Sequence, residues 1–205
     1  MDATKVDTAP LRERNRQRTH ERIVKAAFEL FRDQGYDRTT MDEIALNAEV
    51  SRATLFNYFP AKDYLLGHYI RQVLEDKILP GLLAYLADQP HTIDAFRHLF
   101  MSVYENVLHV PEIGKAIWRE FLRTMQNGTF KDPDSDLLLL TLRDLVQYGI
   151  DRGEVRAGIP PEHLASYVGA LYGSVVLNIL FKTGISDYPH EIENLLQFIF
   201  AGLQP

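Results

Sequence analysis

An all-α chain in two parts, a small three-helix N-terminal domain followed by a larger helical domain, is predicted by three observations. Apolar residues recur at helical spacing along most of the 205 residues. The breaks between these stretches carry glycine or proline. No stretch alternates apolar and polar residues for long enough to demand a strand. Hydrophobic residues make up 46% of the chain, enough to bury a core.

Taken in order, residues 1–10 are polar and read as a flexible tail that ends at Pro10. They hold no apolar run, so no targeting signal is expected. From Leu11 the pattern is helical. Ile23, Ala26, Ala27, Leu30 and Phe31 share one face, and Gly35 stops the helix. Arg14, Arg18, Arg22 and Lys25 fall on the opposite side, and the first two turns have no apolar partners. A short helix is expected over 40–47. Thr39 or Thr40 can cap it, and Glu43 follows Thr40 at capping-box spacing. Ser51 caps a third helix that Pro60 ends. A fourth is expected from about Lys62 to Leu79, where Pro80-Gly81 breaks it. Further helices are expected over 91–109, 112–126, 135–152, 161–182 and 189–203. The domains are therefore placed at 11–62 and 63–205, with the fourth helix joining them rigidly.

Net charge is −6, yet its distribution matters more than the total. Up to Leu65 the chain has 11 basic and 11 acidic residues, so the remainder carries the whole excess. Residues 12–25 hold six basic and two acidic residues. An anionic partner should meet this end, and Arg12, Arg14, Arg16 and Arg18 are expected to form an arm for it. The chain has no cysteine, which excludes disulfides, thiolate metal sites and cysteine nucleophiles. Nothing matches a nucleophile elbow or a zinc-protease helix. His91 and His98 lie seven apart, without a metal-ligand pattern. No catalytic residue, metal or cofactor is expected, and the chain is not expected to be an enzyme. The longest nearly uncharged stretch, 168–181, is too short for a membrane span of about 20 residues. It reads as a buried helix, and no membrane partner is expected.

The informative segment is 39–62, TTMDEIALNAEVSRATLFNYFPAK. Two short helices meet at the turn Ala48-Glu49-Val50. Ile44 and Ala45 face inward on the first, and Val50, Leu55 and Phe59 complete the apolar contacts. Small Ala45 permits the steep crossing of a helix-turn-helix. The second helix then presents Ser51, Arg52, Thr54, Asn57 and Tyr58, which packing alone does not require. Arg52, in the first turn, has the donor geometry to pair bidentately with guanine.

This arrangement closely resembles the TetR/AcrR family of bacterial transcriptional regulators. The resemblance rests on FELFRDQGY, TTMDEIALNAEVS and ATLFNYFPAKDYLL and covers about residues 11–66. It implies an all-helical homodimer bound to a double-stranded DNA operator. Arg52 and Thr54 would read bases, while Thr39, Thr40, Tyr58 and Lys62 would contact phosphates. Phe56 and Asn57 occupy an aromatic-pair position, and Phe56 lacks the hydroxyl for a phosphate bond. Glu49 stands where a turn glycine is common. A left-handed backbone there costs about 1 kcal/mol, so the turn either tolerates that cost or adopts another geometry.

The second region is expected to bind a small, largely apolar effector. Met101, Tyr104, Trp118, Phe121, Met125, Tyr148 and Tyr172 are the candidate lining, with Asn178 as a polar handle. Each of these residue types taken singly is more often core than pocket. The helices 161–182 and 189–203 are the expected dimer surface, and Gly169 and Gly173 mark close helix approach. The expectation is thus a ligand-released repressor of palindromic operators, cytoplasmic and associated with the nucleoid; an activator would carry the same features. An enzyme or binding protein for an apolar ligand, with a vestigial N-terminal motif, is the alternative. The intact polar face over 51–58 argues against it.

Overall fold

A computed structural model describes residues 11–108, 113–116, 118, 136–181 and 187–203. Nine helices are traced among them: α1 (Leu11–Gln34), α2 (Met41–Asn47), α3 (Arg52–Tyr58), α4 (Lys62–Val73), α5 (Leu79–Leu86), α6 (Thr92–Val103), α7 (Asp136–Asp151), α8 (Pro161–Phe181) and α9 (Tyr188–Leu203). Residues 113–116 and 118 are also helical, and no strand occurs among the described residues. The chain is all-α, in two compact units that divide between Leu66 and Gly67.

The first unit is built on α1. Its residues 11–18 are exposed, and burial begins at Ile23. Ile23, Val24, Ala26, Ala27 and Phe31 form one stripe that meets Ile44, Ala45, Ala48, Leu55, Phe59 and Leu65. Gly35, at φ +87°, ends α1 in the left-handed conformation that a side chain would resist.

In the second unit α7 packs on α8, α8 on α9, α9 on α6 and α6 on α7, with α5 also against α6. The core between them includes Phe96, Leu99, Phe100, Val146, Ala165, Val168, Tyr172 and Leu196. Gly149 on α7 is required for this packing. A Cβ there would lie 2.6 Å from Val155 and 2.8 Å from Thr92. His91, at the N-cap of α6, supplies no side-chain cap. Glu154, from the connection after α7, supplies it instead, accepting from the Thr92 amide at 2.6 Å and its hydroxyl at 2.7 Å. Burial pushes the Glu154 carboxyl up. The Thr92 bonds and the Arg152 guanidinium outweigh it and hold the group at about 2.

Two departures from the sequence expectation concern helix ends. Pro80-Gly81 does not end the fourth helix. A π turn over Leu74–Ile78 precedes α5, and the Leu79 amide donates to the Leu74 carbonyl, five residues back. This wide turn carries the chain past Pro80, which has no amide to offer and would clash with a regularly placed carbonyl. The helix expected over 91–109 likewise turns wide, over Tyr104–Leu108. The helix expected over 112–126 lies largely outside the described residues. Of the described helices, α8 is long and apolar enough by composition to cross a membrane. Its Leu164, Ala165, Val168, Tyr172, Val176 and Leu180 are buried in the core of the second unit.

Candidate nucleic-acid interface

The helix-turn-helix is built from local signals. Thr40 caps α2 in a complete capping box: its hydroxyl accepts from the Glu43 amide at 3.2 Å, and its own amide donates to the Glu43 carboxylate at 2.8 Å. These bonds from Thr40, backbone first, hold the Glu43 carboxyl below its ordinary value. Ser51 caps α3, accepting from the Thr54 amide at 3.0 Å. Between the helices Glu49 adopts φ +52°, so the turn tolerates a left-handed non-glycine residue. Arg22, on α1, grips this turn. Its guanidinium donates to the Ala48 carbonyl and, at 2.9 Å, to the Glu49 carbonyl.

α3 buries one side chain, Leu55. Ser51, Arg52, Phe56 and Asn57 are exposed, while Thr54 and Tyr58 are half-buried. The Arg52 guanidinium lies 5.5 Å from the centre of the Phe56 ring. Its Nη1 donates to Asp42 Oδ2 at 3.1 Å. Phe56 therefore serves as a shelf for the arginine. Tyr58 packs against the core of the unit, with its ring 6.2 Å from that of His20.

The four expected phosphate contacts are placed differently from one another. Thr40 is exposed, but its hydroxyl already engages Glu43 at 2.9 Å. Thr39 is buried, and its hydroxyl donates to the Gly35 carbonyl at 2.9 Å. Lys62 donates to the carbonyls of Tyr36 at 2.5 Å and Thr39 at 2.8 Å, and its ammonium sits over the Tyr36 ring. Tyr36 in turn donates to Asp63. Lys62 and Thr39 thus brace the loop between α1 and α2, while Thr40 and Tyr58 stay at the surface.

In the second unit the expected effector residues divide. Tyr172 is buried, its hydroxyl 2.9 Å from that of Tyr188, which donates to the Phe100 carbonyl at 2.9 Å. Tyr172 stacks on Phe100 and Tyr188 on Tyr104, each with ring centres 4.1 Å apart. Burial pushes both buried phenols well above their ordinary value. Met101 and Trp118 pack on the same core. The Trp118 ring rests on Gly173, where an added Cβ would meet it at 3.4 Å. Asn178 is half-buried on α8. Tyr148 stands apart, donating to the Pro90 carbonyl at 2.7 Å with Arg152 over its ring. That places it before the start of α6, about 20 Å along the helix axis from Tyr104. Phe121 and Met125 lie outside the described residues.

Residues 23–69 match the model of the family described as bacterial regulatory proteins, tetR family. An uncharacterised helix-turn-helix transcriptional regulator of Bacillus subtilis, YdeS, is 26% identical over 188 residues, covering 91% of this chain and 90% of that protein. The solved structure of Thermus thermophilus FadR, a TetR-family repressor in complex with lauroyl-CoA, superposes with a TM-score of 0.74 at 27% identity. That match covers 91% of this chain and 95% of that one. A regulator from Saccharomonospora viridis, in complex with choline, shares the fold at 20% identity and a TM-score of 0.61, over 91% and 98% of the two chains. The chain carries the DNA-binding region of the tetR family at residues 23–69 and is similar to regulators of that family over about nine-tenths of its length. It is a DNA-binding transcriptional regulator.

The chain also uses side chains that have no signature in the sequence. Helical periodicity put Arg22 on an outer basic face, but its acceptors lie 26 and 27 residues away. Asp42 reads from sequence as one more acidic residue in a first turn, and its partner Arg52 is ten residues on. Neither has a local signature. The one available hint was Glu49, because a strained turn exposes carbonyls that need a donor.

Proposed function

We propose that the protein is a ligand-released repressor that binds a palindromic operator as a dimer in the bacterial cytoplasm. The observation that carries the reading is α3, a helix with one buried residue and a polar outer face led by Arg52. A helix so weakly tied to its own core is built to be presented, and its length suits a major groove. Arg52 and Thr54 read bases. Ser51, Thr40, Asn57 and Tyr58 make polar contacts around them, and Thr39 and Lys62 fix the loop from which Thr40 projects.

Support for a dimer comes from α8 and α9. Tyr167, Leu171 and Phe181 on α8 and Phe198 on α9 are 59%, 37%, 46% and 69% exposed. A second copy would cover these rings and chains in an isologous contact. Two reading helices about 34–36 Å apart then enter successive major grooves. An effector that favours a conformer with another spacing weakens DNA binding by the same coupling energy with which DNA weakens effector binding. α4, which runs from the first unit into the second, is the element to transmit it.

The effector is small and largely apolar, and the aromatic set around Tyr172 and Trp118 is the surface it addresses. The lauroyl-CoA held by Thermus thermophilus FadR makes a fatty-acyl thioester the first probe. The deciding experiment is a mobility shift on the protein's own upstream DNA, repeated with such probes. Binding released by an acyl probe supports the reading. No shift on any duplex, or a stable monomer by sedimentation at micromolar concentration, refutes it.

A further inference from the structure

We propose that Asp42 sets the base specificity of this regulator by holding Arg52 in its reading pose. The inference rests on the docking of α3 proposed above. The Arg52 guanidinium is contacted from two sides. Its Cζ lies over the Phe56 ring, 5.5 Å from the ring centre, and Asp42 on α2 takes its Nη1 at 3.1 Å. Both charged side chains remain open to solvent, at 68% and 63% exposure. The pair therefore contributes little to folding. Its effect is on where the arginine points and what it accepts.

A guanidinium pairs with a guanine edge through two parallel N–H groups. With Nη1 engaged by Asp42, the edge formed by Nε and Nη2 is the one left for O6 and N7. The same carboxylate acts against the commonest wrong contact. An exposed arginine beside DNA tends to swing to the nearest phosphate, which carries no sequence information. To do so here Arg52 must leave Asp42 and bring a phosphate close to an uncompensated carboxylate. A guanine edge, being neutral, imposes no such repulsion. Asp42 is thus a positioning residue that lowers non-specific affinity as it sharpens the specific contact.

The test uses the full-length protein, a duplex selected from a random pool, its single-base-pair variants and an unrelated duplex, each titrated across salt concentration. Asp42→Ala should bind the unrelated duplex more tightly. Its salt dependence there should steepen by about 1 per subunit, as Arg52 moves to phosphate. Preference at one base pair per half-site should fall about five- to tenfold, the lower end of what a bidentate arginine contact contributes. In an Arg52→Ala background, Asp42→Ala should change neither preference nor slope. An equal gain in both backgrounds would overturn the proposal, because Asp42 would then act only as a bulk negative charge. So would a uniform loss of affinity with preference intact. Arg52→Ala alone separates this from the reading beneath it. If it leaves every base preference unchanged, the docking of α3 is wrong; if it abolishes one that Asp42→Ala leaves alone, only the role of Asp42 is wrong.

Discussion

Beneath the α2–α3 turn the first unit has a small, mostly aliphatic core, and two cations, Arg22 and Lys62, grip backbone carbonyls at its edges. The second unit instead stacks Phe100, Tyr172, Tyr188 and Tyr104 inside a larger core, and its long-range polar anchors include phenol hydroxyls, Tyr188 on the Phe100 carbonyl and Tyr148 on the Pro90 carbonyl, and a carboxylate, Glu154, on a backbone amide. The contrast follows from size and task. A small domain buries too little apolar surface to fix its loops by packing alone, so charged side chains tie down the loops that aim α3. The larger unit fixes its helices mainly by packing, with the Tyr172–Tyr188–Phe100 hydroxyl bonds inside the core, an Arg97–Glu193 pair between α6 and α9, and Glu154 closing the start of α6.

The largest expected effect tests whether the two cores act separately. Leu55→Ala removes the one buried side chain of α3 and should cost about 2–5 kcal/mol in the first unit. Operator binding should be lost, while the unfolding transition reported by Trp118, in the second unit, stays in place. A matching shift in the Trp118 transition would show that the units unfold as one.

Glu154→Gln is the counterpart in the second unit, with an expected loss of about 2 kcal/mol at neutral pH. The carboxyl is held at about 2 in the fold, against about 4.3 when unfolded. Its contribution is thus complete above the unfolded value and is lost as pH falls from there toward 2. Denaturant titrations at pH 7 and pH 3 should show a gap between wild type and variant that narrows in acid. A constant gap would assign the bond to geometry rather than charge.

Lys62→Ala should destabilise the first unit by about 1–2 kcal/mol, because two carbonyls lose a charged donor. The salt dependence of DNA binding should not change. A slope shallower by about 1 per subunit would instead make Lys62 a phosphate ligand. The smallest effect is a gain. Glu49→Gly should stabilise the turn by about 1 kcal/mol by removing left-handed strain, since the 3.8 Å pair with Arg22 is exposed and weak. An unchanged or lower melting temperature would mean that the pair matters more than the strain.

What was legible in the sequence was local. The capping box of Thr40 and Glu43, the Ser51 cap and the stop at Gly35 all use partners within a turn or so of each other, and the structure forms each of them. The apolar stripe from Ile23 to Phe31 fixed the inward face of α1 in the same way. Partners far apart in sequence were not legible. Lys62 reaches carbonyls 23 and 26 residues away, Tyr148 one 58 residues away, and Glu154 an amide 62 residues away. Tyr148 has the chemistry of an effector-lining residue, yet its hydroxyl is held where α6 begins. Pro80 misled for another reason: proline signals a broken helix only when the preceding turn is regular, and here it is wide.

That wide turn over Leu74–Ile78 has a consequence for comparing relatives. A π turn holds one more residue than an α-helix needs to advance by the same length, so it acts as a single-residue insertion absorbed without a loop. Each residue after it is set back by about 100° around the axis relative to an uninterrupted α-helix. A relative lacking this residue would keep a continuous helix and present the same side chains, so an alignment there should open a gap of one position inside a helix. Aligned without that gap, Leu82 would be matched to a position on the wrong side of its counterpart.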